Sequence, residues 1–66
     1  MKIKMIDSCG RPAWYRKQGI YCFDFVTNIK HATSLTAEEA SRIMDGKDFY
    51  LNFYGACALE IEEDVA

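Results

Sequence analysis

The chain has 66 residues and a mass of 7.6 kDa. That length suits one domain and excludes a two-domain enzyme, a full βαβ cofactor fold and a repeat array. Half of the residues are apolar and 14% are aromatic, enough material to fold, and the net charge of −2 hides +4 on residues 1–30 against −6 on residues 31–66.

Taken in chain order, residues 2–7 read as a strand, with Ile3 and Met5 alternating with Lys2 and Lys4. Ser8-Cys9-Gly10-Arg11-Pro12 is a turn cluster. Ala13 to Lys17 reads as a short strand or an ordered loop, and Gln18-Gly19 breaks it. Residues 20–26, Ile-Tyr-Cys-Phe-Asp-Phe-Val, are the composition of a strand. Tyr21, Phe23 and Phe25 would share one face, and Cys22 and Asp24 the other.

A helix follows. Thr36-Ala37-Glu38-Glu39 is a capping box, with Leu35 and Ala40 at the staple positions. Ala40, Ile43 and Met44 make an apolar stripe. Gly46 at C′ predicts an end near residue 45. So short a helix needs a sheet to pack on.

Residues 48–54, Asp-Phe-Tyr-Leu-Asn-Phe-Tyr, read as a second aromatic strand. Phe49, Leu51 and Phe53 would point one way and Tyr50, Asn52 and Tyr54 the other. Gly55-Ala56 suits a reversal into a last strand over 57–62, closing a hairpin. The tail from Glu63 should fray.

These elements predict an α+β domain: a mostly antiparallel sheet of four to five strands with one short helix on one face, in the order β-β-β-α-β-β. The expected core is Ile3, Met5, Tyr21, Phe23, Phe25, Ile43, Met44, Phe49, Leu51, Phe53, Leu59 and Ile61. One helix covers one face, so the other face should lie bare in a monomer.

Few residues suggest catalysis. His31 could activate Cys22 or Cys57, but it is the single histidine and no nucleophile signature surrounds a cysteine. The reading is therefore not an enzyme. Cys9, Cys22, Cys57 and His31 match the ligand count of a structural zinc. No two lie within four residues of each other, so the cysteines read instead as small buried or half-buried side chains. A zinc-stabilised domain stays as an alternative. Three cysteines, no apolar leader and no apolar run of membrane length suggest a reduced, cytosolic chain. No glycine-rich phosphate loop is present, and no cofactor is expected.

Arg11, Trp14, Tyr15, Arg16 and Lys17 interleave cations and aromatics within seven residues, the composition of a single-strand nucleic-acid contact. The isoelectric point near 5.2 weighs against that alternative. A protein partner fits better. Tyr50, Asn52 and Tyr54 would form a row on the uncovered sheet face, a face that a second copy of the chain could also use. The acids Glu60, Glu62, Glu63 and Asp64 could add contact by mimicking a phosphate path.

The segment from Thr27 to Ile43 holds Asn28-Ile29, Ala32 and Leu35-Thr36-Ala37-Glu38-Glu39-Ala40 ahead of Ile43. It resembles a pattern of small phage and prophage proteins, including small anti-CRISPR proteins with one helix on an antiparallel sheet. The resemblance covers about a quarter of the chain and carries over no functional residue. It implies a compact phage-type inhibitor that binds a host defence complex, a protein or ribonucleoprotein assembly, through its surface in the host cytoplasm.

Overall fold

The structure is a computed structural model that describes residues 1–63. Its class is α+β: four strands in one antiparallel sheet with two helices. The strands are β1 (Lys2–Ile6), β2 (Pro12–Gln18), β3 (Cys22–Val26) and β4 (Ala58–Glu62), and the helices are α1 (Ala37–Asp45) and α2 (Lys47–Tyr54). The sheet order is β3-β2-β1-β4.

The first three strands form a meander because each connection carries its own turn chemistry. Between β1 and β2, the Asp7 carboxylate accepts from the amides of Cys9 at 2.9 Å and Arg11 at 2.8 Å, an Asx-type turn. Gly19, at φ 85°, opens the three-residue loop into β3. Residues 13–17, read as strand or loop, lie within a full seven-residue strand, Pro12–Gln18. Ile20 and Tyr21, expected inside β3, stand in the turn before it and are 84% and 93% exposed.

After β3 the chain makes one 3₁₀ turn, Ile29–His31, capped by the Asn28 carboxamide, which accepts from the Lys30 amide at 3.0 Å. It then runs as a strap along the sheet. Thr33 donates its amide to the Tyr15 carbonyl at 3.1 Å and accepts the Lys17 amide on its hydroxyl at 2.8 Å. Leu35 donates to the Met1 carbonyl at 2.6 Å and accepts from the Met1 nitrogen at 3.0 Å. The capping box then forms as expected: Thr36 Oγ1 accepts the Glu39 amide at 3.2 Å, and Glu39 Oε1 accepts the Thr36 amide at 3.1 Å.

The largest departure from the sequence reading is at residues 48–54. They are helix, not strand. Gly46 (φ −96°) ends α1 and begins α2 directly, so two helices stand where one was expected. The expected hairpin of 48–54 with 57–62 does not exist; β4 pairs with β1, Ile3 against Ile61 and Met5 against Leu59.

Both helices lie on one face of the sheet. The core is Ile3, Met5, Tyr15, Leu35, Ala40 and Leu59, with Phe23, Phe25, Ile43, Met44, Tyr50 and Leu51 packed against it. Tyr21, Phe49 and Phe53, expected inside, are exposed, and Ile61 is 42% exposed. Tyr15 was absent from the expected core and is buried at its centre. Burial pushes its phenol above the ordinary range, and neighbouring Tyr50, Glu39 and Tyr54 add to the effect.

Candidate protein-binding face

Strand alternation sorts side chains into two layers. On β1, Ile3 and Met5 enter the core, so Lys2, Lys4 and Ile6 take the opposite face. Pairing extends that face across the sheet. Lys4 stands opposite Trp14 on one side and Glu60 on the other, and Trp14 stands opposite Val26. One row therefore reads Val26, Trp14, Lys4, Glu60. On the same face Arg16 of β2 stands against Asp24 of β3, and Lys2 of β1 against Glu62 of β4. Neither helix packs on this face; both lie over the core layer.

Charge on this face is ordered. Arg16 donates from Nε to Asp24 Oδ1 at 3.0 Å and from Nη2 to Oδ2 at 2.7 Å. Gln18 Nε2 adds a bond to Oδ2 at 2.8 Å. The Arg16 bond, with help from Gln18, holds the Asp24 carboxyl below the ordinary range. Lys4 Nζ lies 3.9 Å from Glu62 Oε2. These pairs join the basic first half of the chain to acids across the sheet, and each is solvent-accessible enough to be worth little by itself. Near the middle sits Trp14. It is half-buried, and its indole N–H is buried without an acceptor among the described residues.

The expected residues fall out unevenly. Glu60 and Glu62 are on the bare face, Glu63 follows β4, and Asp64 lies outside the described residues. The Tyr50-Asn52-Tyr54 row does not exist, because a helix turns by about 100° per residue and puts Asn52 on the side away from Tyr50 and Tyr54. Tyr50 packs on Phe23 and Phe25, Tyr54 packs on Phe25, and Asn52 is exposed. The bare face carries Trp14 and ordered charge instead of tyrosines.

The cluster Arg11, Trp14, Tyr15, Arg16 and Lys17 also divides. Trp14 and Arg16 share the bare face, and Tyr15 is in the core. Lys17 is on the helix side, 3.6 Å from Glu39, and Arg11 is in the preceding turn. A contiguous aromatic and cationic track is not formed by these five. The cysteines, expected buried or half-buried, are free and exposed, because each stands in a turn, at a strand start or just before a strand. Among the described residues no three metal-ligating side chains are grouped to hold an ion, and no helix is long and apolar enough to cross a membrane.

Sequence reasoning missed a second surface. Phe49 and Phe53 are 58% and 69% exposed and stack at 5.8 Å on the outer flank of α2. Their spacing of four was the available signal.

Compared with protein-family models, with curated proteins and with solved structures, the chain matches none.

Proposed function

We propose that this protein is a non-enzymatic protein-binding module that works by surface contact through its bare sheet face. The observation that carries the reading is the row Val26, Trp14, Lys4, Glu60 on a face that neither helix covers. Trp and Arg dominate binding energy at interfaces when ringed by polar groups, and here Trp14 has Lys4 and then Glu60 to one side while Arg16 is paired with Asp24. Paired charges around them give the face a fixed pattern that a partner can match, and such matching sets specificity and association rate.

The resemblance of residues 27–43 to phage-type proteins supplies the partner class: a host defence complex, inhibited by occupation of its surface. Glu60 and Glu62 lie along one edge of the face and Glu63 follows them in the chain, so this edge suits a cationic groove shaped for phosphates.

The test is capture from a nuclease-treated bacterial lysate, followed by titration of the purified partner. The reading expects a discrete protein complex whose activity falls on stoichiometric addition. It expects Trp14→Ala to cost more than about 1 kcal/mol of affinity, and Glu60→Lys with Glu62→Lys to slow association. Capture of nucleic acid alone, or equal affinity for folded variants of Trp14, Glu60 and Glu62, would overturn it.

A further inference from the structure

β4 is an outer strand of the sheet, and β1 is the strand beside it. Half of the backbone N–H and C=O groups of an outer strand point away from the sheet and are open to pairing with another chain. Among the described residues, no loop backbone bonds to Ala58–Glu62.

β1 shows what β4 pairs with. Their ladder sets Lys4 against Glu60, Lys2 against Glu62 and Ile3 against Ile61. Cations meet acids on the bare face, and apolar side chains meet on the helix side. A side chain in a sheet has lateral neighbours on both sides, so β4 offers the same alternation along its outer edge. Glu60 and Ile61 are exposed there. Lys4 comes no nearer to Glu62 than 3.9 Å, and that carboxylate stays partly exposed, which leaves room for a second cation. Like charges directly opposite oppose pairing. A second β4 laid antiparallel about Glu60 would set that carboxylate against its own copy, so this edge does not suit the chain itself. The other outer strand, β3, carries no such pattern. Its one charge, Asp24, is already bound by Arg16 and Gln18.

We propose that the outer edge of β4 takes an extended segment of the partner protein, in which cations alternate with apolar residues, as a fifth strand. The cations lie beside Glu60 and Glu62 on the bare face. The apolar residue between them lies beside Ile61 on the helix side. Backbone bonds supply affinity with little regard to sequence, and the side chains of the edge supply the choice. This deepens the protein-binding function proposed above and rests on it, naming the part of the partner that β4 holds. Trp14 is on β2, two strands away, so its contact and this one can be lost separately.

The test is titration of the isotope-labelled full chain with a blocked peptide of alternating lysine and isoleucine, long enough to span Ala58–Glu62. Amide NMR shifts locate the site, in reducing buffer because the cysteines are exposed. Saturable shifts centred on Ala58–Glu62 are expected, with Cys22–Val26 unmoved. A peptide with glutamate in place of lysine should bind about fivefold more weakly or worse. Glu60→Gln with Glu62→Gln should weaken the lysine peptide by a similar factor with an unchanged circular dichroism spectrum. If that variant does not fold, the two peptides compared on the parent chain still decide. Equal affinity for the two peptides overturns the proposal. So do shifts centred on β3, displacement of β1, absence of binding at millimolar peptide, or a dimer of the chain formed through β4. An edge that fails while Trp14→Ala still weakens the captured partner removes this proposal alone. A peptide that binds as expected while the lysate yields no protein partner removes the proposed function and leaves the preference of the edge in place.

Discussion

Arg16 and Asp24 face each other across β2 and β3 and are joined by two side-by-side hydrogen bonds, 3.0 and 2.7 Å long. This fork geometry is available to arginine and not to lysine. It holds the Asp24 carboxyl below its ordinary value, so the folded state binds that proton less readily than the unfolded chain does. The stabilisation is fully present above the unfolded carboxyl value, about 4, and is lost as pH falls through the lower folded value. Asp24→Asn should therefore flatten the acid limb of the stability curve. Urea unfolding from pH 7 down to pH 2 reads this directly. Parallel curves for the two proteins would mean that the bond contributes nothing to folding.

The capping box predicts a second, local effect. Thr36→Ala leaves the Glu39 amide without its acceptor and should cost about 1 kcal/mol. Thr36→Ser keeps the oxygen and should cost much less. Glu39 is held below the ordinary carboxyl range, chiefly by the Thr36 amide, so Glu39→Gln should also flatten the acid limb. Equilibrium unfolding at one protein concentration separates these outcomes. An alanine variant as stable as the serine variant would remove the cap from the account.

What was legible in the sequence was local. The capping box, the Gly19 turn and the alternation of β1 are each written within a few residues, and each forms. Residues 48–54 were not legible, for a physical reason. Every second residue from Phe49 is aromatic or apolar, which suits a strand, yet Tyr50, Leu51 and Tyr54 also mark one side of a helix. The choice is made by distant residues: Phe23 and Phe25 accept Tyr50 and Tyr54 as a helical pair. The site suffered from the same ambiguity. With 48–54 read as a strand, tyrosines fell on the bare face; as a helix they cover the core, and Trp14 with its flanking charges is what the bare face shows. That Trp14 and Arg16 share this face with Glu60 follows from strand order, which no short segment encodes.

A pair of alanine substitutions on α2 discriminates helix from strand. In a strand, Tyr50 and Asn52 would share a face and respond alike. In the helix, Tyr50 packs against Phe23 at a ring separation of 5.4 Å, while Asn52 is exposed. Tyr50→Ala should cost about 2 kcal/mol or more, and Asn52→Ala should stay within about 0.5 kcal/mol. Thermal or chemical unfolding measures both. Similar losses at the two positions would contradict the helix.

Two glycines that look alike in sequence should respond with opposite sign. Gly46 and Gly55 each follow a helix, but their backbones differ. Gly55 ends α2 at φ 65°, the left-handed region, and donates its amide to the Leu51 carbonyl. A Cβ there meets nothing within 4 Å, so the whole penalty is conformational, about 1 kcal/mol for Gly55→Ala. Gly46 joins α1 to α2 at φ −96°, a value open to any residue, and its amide points at the Ile43 and Met44 carbonyls. A Cβ there meets the Ile43 carbonyl oxygen and the Tyr50 ring at 3.7 Å, ordinary contact distance. Gly46→Ala narrows the unfolded ensemble and strains nothing, so it should stabilise by about 0.4–1 kcal/mol. Denaturation midpoints of the two single variants against the parent decide the matter. A destabilised Gly46→Ala would show that the junction between α1 and α2 needs a backbone that only glycine adopts.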